Sequence, residues 1–272
     1  MAPGSKFRDF LSFSLVMKKP GNPQKNWQTA ALTLLALLAF AANSVLCRMA
    51  LGQETIDATS FTAIRLSSGA AVLLLLVRIS RQKQAAKKER SKGSWISGMM
   101  LFLYATCFSY AYVTLDTGVG ALIAFTSVQI TMIAYGFFKG RRLNLTEWIG
   151  VLFAFGGFVY LVSPGISAPS AEGFVLMTLS GFGWGMYSVR GMGSVNPLED
   201  TTFNFLRSNL FLLLFIALIS ITAVFYPRFF QPHLSEKGLY LAVLSGAITS
   251  GLGYTIWYMA LRGLTNIQAS VV

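Results

Sequence analysis

Eight stretches of about 20 apolar residues recur along this chain, roughly 28–50, 60–80, 95–115, 118–138, 146–163, 173–193, 203–226 and 239–261. A stretch of that length spans a bilayer as a helix, because hydrocarbon offers no water to the peptide groups and a helix satisfies its own. The connections are too short to hold a soluble domain, and turn formers such as Ser163-Pro164-Gly165 and Tyr226-Pro227 stop the helices. Charged residues make up 12% of the chain and hydrophobic residues 54%, against about 25% charged in soluble domains. A water-soluble fold of this size would leave large apolar patches exposed. The chain therefore reads as all-α, a polytopic α-helical membrane protein.

The net charge of +12 is distributed in a way that separates membrane topology from nucleic-acid binding. Five basic residues fall in 1–26, six in 81–94 and three in 139–142, each cluster separated from the next by a pair of spans. That recurrence is the positive-inside pattern, so no nucleic-acid partner is expected. It puts the N-terminus and the 81–94 and 139–142 loops in the cytoplasm, and the 51–59 loop, with Glu54 and Asp57, outside. Two later loops break the rule. The 194–202 loop should be cytoplasmic yet holds Glu199 and Asp200 without a base, and the 227–238 loop should be external yet holds Arg228 and Lys237. Residues 1–26 form a separate cytoplasmic N-terminal segment, either an interfacial helix or partly upstream of a natural start at Met17.

Several chemistries are closed off. Cys47 and Cys107 lie inside apolar spans and read as small buried hydrophobes. The single histidine, His233, sits in a polar loop, which removes the Ser-His-Asp and HExxH enzymes and a zinc site. No GxxxxGK[ST] loop occurs, no metal or other cofactor is implied, and paired catalytic groups are lacking, so an enzyme is not expected. No acid lies deep in a span, and Asp116 is at a turn. A buried carboxylate relay for protons is therefore not visible.

The chain repeats itself. With Phe40 set against Phe182, Arg48 meets Arg190 and Asp57 meets Glu199 without a gap. Phe61-Thr62-Ala63-Ile64-Arg65 then meets Phe203-Asn204-Phe205-Leu206-Arg207, and after one small gap Tyr112 and Leu115 meet Tyr258 and Leu261. The first unit, residues 27–163, carries five spans. An odd number inserts the second unit, residues 172–272, upside down, as in secondary transporters whose substrate site lies between inverted halves. The expected architecture is an inverted five-plus-five helix repeat with the second repeat incomplete, three helices plus the start of a fourth. A full second unit would run about 40 residues further. That invites a partner, another subunit or a second copy in a homodimer, and makes a non-transporting membrane subunit the alternative reading.

The motifs resemble those of the drug/metabolite transporter superfamily, in its EamA-type ten-helix branch. They are Ala42-Asn43-Ser44 with Arg48, Phe61 to Arg65, Gly120-Ala121-Leu122-Ile123 with Val128-Gln129, and Trp148-Ile149-Gly150 with Gly156-Gly157 and Ser163-Pro164. The resemblance implies an ATP-independent transporter of small organic metabolites or drugs, an exporter by expectation, working by alternating access in the plasma or inner membrane.

Candidate substrate contacts follow from polarity inside the spans. Arg65 and its repeat mate Arg207 could hold an anionic or zwitterionic solute with bidentate geometry, or else snorkel or pair with Asp57 or Glu199. Asn43 and Gln129 offer a donor and an acceptor each, toward a cavity or as glue between helices. Tyr112, Trp184, Tyr187 and Trp257 complete the set, as cavity wall or as packing and interfacial belt. Gly181, Gly183 and Gly185, and Gly246, Gly251 and Gly253 with Ser250, mark places where helices approach closely.

Overall fold

The computed structural model describes residues 23–83, 91–140, 169–225 and 232–271, with 148–149, 152–153 and 156. Most of the fifth span, residues 1–22 and part of each basic loop lie outside the described residues.

The apolar stretches form helices: α1 (Pro23–Leu51), α2 (Ala58–Lys83), α3 (Trp95–Thr114), α4 (Thr117–Phe138), α5 (Ala171–Gly191) and α6 (Pro197–Phe225). A final rod is composite, with α7 (Glu236–Leu244), a π-helical segment (Ser245–Leu252) and α8 (Gly253–Leu261), before the short α9 (Asn266–Val271). The sequence predicts a span over 239–261, which this rod supplies, with a π-helical segment within it. Among the described residues, six helices are long and apolar enough to cross a membrane, the composite rod counting as one. α5 is long enough but less apolar, because glycines, serines and Tyr187 occupy positions that face other helices rather than lipid. Serine side chains cap three starts: Ser94 accepts from Ser97 N, Ser170 from Gly173 N and Ser235 from Gly238 N.

Packing follows the small residues. α5 wedges between α3 and α4. A Cβ on Gly181 would meet Ala124 O at 2.6 Å, and one on Gly185 would meet Thr131 Cβ at 2.9 Å, so this GxxxG face lies on α4. Gly183 faces the other way, where a Cβ would lie 2.9 Å from Met100 O of α3. α2 lies against the π segment and α6, and α1 against α8 and the π segment. At Gly246 the approach is closest, since a Cβ there would collide with Ser68 Oγ and Arg65 O. α6 shows its outer side, including Leu210, Leu213, Leu214, Leu218 and Ile221, to the surroundings, as a lipid-facing helix does.

Polar contacts join the loops at each end. At one end, Ile56 and Leu234 form an isolated antiparallel bridge, Asp57 N donates to His233 O, and Arg48 pairs with Asp116 at 3.0 Å. At the other, Arg81 pairs with Glu199 at 2.8 Å, and Ser91 Oγ and Gly93 N both donate to Asp200. The two acids that broke the charge rule thus lie against the basic 81–94 loop. Cys47 and Cys107 are buried free thiols. Ser67 Oγ donates to Asn209 Oδ1 at 2.9 Å, and these residues stand 142 positions apart, the offset that relates the two halves in sequence.

Candidate substrate site

The site begins with a charge where none is expected. Arg65, the eighth residue of α2, is completely buried. Among the described residues, neither Asp57 nor any other acid pairs with it. Its Nε donates to Ser250 Oγ at 2.9 Å, and its Nη2 donates to Tyr104 Oη at 3.1 Å and Tyr254 Oη at 2.5 Å. The guanidinium carbon stands 5.3 Å from the ring centroids of Tyr104 and of Phe108. Nη1 has no hydrogen-bond partner among the described residues.

Asn43 of α1 joins this cluster from the opposite side. Its Oδ1 accepts from Ser245 Oγ at 2.7 Å and Thr249 Oγ1 at 3.1 Å, and its Nδ2 donates to Tyr104 Oη at 3.4 Å. Tyr254 Oη donates to Tyr104 Oη at 2.9 Å. The π segment explains how Ser245, Thr249 and Ser250 all reach one place: the wider turn brings Ser245 and Ser250, five apart, onto the same face. Such widened turns recur at functional sites.

An aromatic wall bounds the cluster. Trp184 of α5 lies 4.5 Å from Tyr254, 4.9 Å from Tyr104 and 5.1 Å from Phe40, by ring centroids, and stacks on Tyr187 at 5.4 Å. Trp257 Nε1 donates to Ser188 Oγ at 2.9 Å. Trp184, Tyr187 and Trp257 are buried, so none of the three belongs to an interfacial belt. Beyond the wall is a cavity of about 200 Å³ lined by Phe40, Thr126, Gln129, Trp184, Trp257 and Ser270, among others. A smaller one of about 30 Å³ touches Tyr104, Phe108, Phe40, Ser44 and Trp184.

Of the residues singled out in the sequence, Asn43, Arg65 and Trp184 are brought together, with Gln129 across the cavity. Tyr187 and Trp257 back the wall. Tyr112 is buried nearer the loop end of α3, where its Oη donates to Thr117 O and its carbonyl accepts from Arg48. Arg207 is not brought to Arg65. It is half-buried, donates to Lys92 O and Phe203 O, and holds its guanidinium 5.3 Å from the Trp95 ring. Glu199 pairs with Arg81 instead. In the sequence Tyr104 and Tyr254 stand out only as aromatics within spans, and Ser250 only as a place of close approach, while Ser245 and Thr249 go unmarked. The signal for those two is the Ser245, Thr249, Ser250 spacing in an otherwise apolar span.

A multi-pass helical bundle with a polar, charged cluster inside it and a cavity beside it is an architecture that membrane transporters use. The EamA-like transporter family matches residues 27–163. An uncharacterised protein of Pseudomonas aeruginosa is 46% identical over 245 residues, covering 90% of this chain and 81% of that protein. The chain belongs to the EamA-like transporter family, within the drug/metabolite transporter superfamily. An uncharacterised transporter of Archaeoglobus fulgidus is 27% identical, with 90% of this chain and 84% of that one covered. The uncharacterised transporter YoaV of Bacillus subtilis is 22% identical, with coverage of 82% and 76%. A crystal structure shares the fold at a TM-score of 0.63 and 17% identity, covering 89% of this chain and 83% of that one.

Proposed function

We propose that the chain is a secondary transporter that exports small organic solutes by alternating access between two inverted repeats, without catalysing a reaction. The observation that carries this reading is the Arg65–Asn43–Ser250 cluster, a buried polar centre to which α1 and α2 of the first unit and the π segment and α8 of the second all contribute. A charge in the bilayer core costs several kcal/mol, roughly 2.5–3.5 on insertion scales, and a transporter recovers that cost in solute recognition. The Ser67–Asn209 contact supports the repeat, because a residue that touches its own mate sits on the axis relating the halves.

Arg65, Asn43, Gln129 and Trp184 border the solute, Tyr187 and Trp257 hold Trp184 in place, and Tyr112 and Arg207 act nearer the two ends. The N-terminus is assigned to the cytoplasm of a plasma or inner membrane. In support, Arg78, Arg81, Lys92, Lys139 and Arg262 gather at the end where α1 begins, opposite Glu54, Asp57, Asp116 and Glu236. A homodimer is the assembly carried with this reading, tested by light scattering of the solubilised protein.

The test of function is solute counterflow in proteoliposomes holding the purified chain. Exchange above empty liposomes is expected, with Arg65→Ala and Gln129→Ala each reducing it at least several-fold. Unchanged exchange in both variants would remove the site assignment.

A further inference from the structure

We propose that this transporter's solute is an organic monoanion, its carboxylate paired with Arg65 and its apolar, ring-bearing body seated against Trp184 and Phe40. The inference rests on the transporter reading and names the chemistry of the same site.

The argument starts from charge balance. Arg65 is fully buried, and its partners Ser250, Tyr104 and Tyr254 are neutral hydroxyls. The described acids lie at helix ends: Asp57, Asp116, Glu199 and Asp200 are engaged there with His233 N, Arg48, Arg81 and Gly93 N. Removing a guanidinium from water without a counter-ion is expensive, and Nη1 finds nothing to donate to among the described residues. The cluster is also rich in donors. Tyr104 Oη accepts from Arg65, Asn43 and Tyr254 together, so an added acceptor is what the site lacks. One negative charge brings the centre to neutrality. A zwitterion adds an ammonium for which the cluster holds no carboxylate, and a cation adds to the imbalance.

The body of the solute follows from the walls. Tyr104 and Phe108 face Arg65 and also line the small pocket. Phe40, Trp184, Phe125 and Val128 continue from that pocket into the larger cavity of about 200 Å³. That space admits a ring and a short chain, with Gln129 and Thr126 at its far side. A carboxylate that replaces the Tyr104 hydroxyl on Nη2 also reaches Nη1, which makes the pair bidentate.

The experiment is isothermal titration of the full chain in lipid nanodiscs with 3-phenylpropionate, its amide, its amine, phenylalanine, acetate and chloride. The acid is expected to bind more tightly than the amide, the amine and phenylalanine by about tenfold or more, the range for losing one partner of a buried charge pair. Acetate and chloride, lacking the body, should bind more weakly still. Arg65→Lys should cost 3-phenylpropionate about tenfold for loss of the planar fork. Trp184→Leu, which removes no hydrogen bond of the Arg65 cluster, should weaken 3-phenylpropionate more than acetate, so the proposal stays testable if the Arg65 variant does not fold. Amide, amine or phenylalanine binding as tightly as the acid overturns it, as does chloride matching the acid or no binding of the acid. Counterflow of neutral or cationic solutes without acid binding overturns this inference and leaves the transporter reading in place. Acid binding with no flux of any solute does the reverse.

Discussion

Arg65 and Arg207 align in the proposed repeat and carry the same side chain, yet only one is a central charge. Arg65 is surrounded by hydroxyls and rings from α3, the π segment and α8, whereas Arg207 meets the carbonyls of Lys92 and Phe203 beside Trp95. Arg207→Ala is therefore expected to leave solute affinity within about twofold and to cost ~0.5–1 kcal/mol of stability, the scale of an exposed cation–π contact. Titration and thermal unfolding measure the two. Asn43 behaves differently. Its Oδ1 is the acceptor for Ser245 and Thr249, so Asn43→Leu strands the buried Ser245 hydroxyl, while Thr249 keeps its bond to Ser245 O. A loss of about 1–3 kcal/mol is expected, visible as a lower midpoint of thermal unfolding in detergent. A midpoint equal to that of the parent chain would mean that the hydroxyl finds another partner.

Among the elements, the composite rod carries the most information. Gly246 brings the π segment so near α2 that a side chain there collides with the Arg65 carbonyl and Ser68. Gly246→Val should therefore push Ser250 away from Arg65 and abolish both counterflow and a sharp unfolding transition. Gly136 is the internal control. It lies in α4 with nothing among the described residues within 4 Å of an added Cβ, so Gly136→Ala should be neutral, or stabilising by about 0.5–1 kcal/mol through helix propensity. Equal damage from both substitutions would show that helix glycines matter here for flexibility rather than for close approach. The same geometry makes α5 central despite its modest hydropathy: its glycines serve α4 on one face and α3 on the other.

For the whole molecule, the cross-loop contacts give the charge pattern a structural meaning. Glu199 and Asp200 break the positive-inside rule only when their own loop is read alone. In the fold, Arg81, Ser91 and Gly93 answer them. The proposed orientation makes a direct prediction. In a chain with Cys47→Ala and Cys107→Ala, Lys139→Cys should react with a membrane-impermeant thiol reagent only in inside-out vesicles, and Asp116→Cys only in right-side-out vesicles. Both native positions are exposed, on opposite ends of α4. The reverse labelling pattern would invert the topology.

What the sequence determined alone is the class of fold. Apolar runs near 20 residues leave helices as the solution in a bilayer, and the spacing of basic clusters predicts how they alternate. Those are local properties, additive along the chain. It also pointed to Asn43, Arg65, Gln129 and Trp184, because polar or bulky aromatic groups inside apolar runs stand out. The tertiary structure decided which of the aligned arginines is central, that Tyr104 and Tyr254 meet it, and that the aromatic residues form a wall instead of a belt. Those outcomes depend on groups as far apart as Arg65 and Tyr254, 189 positions in sequence. The π turn that presents Ser250 arises where α2 packs against the composite rod, and no periodicity of apolar residues within one span encodes a neighbour's position.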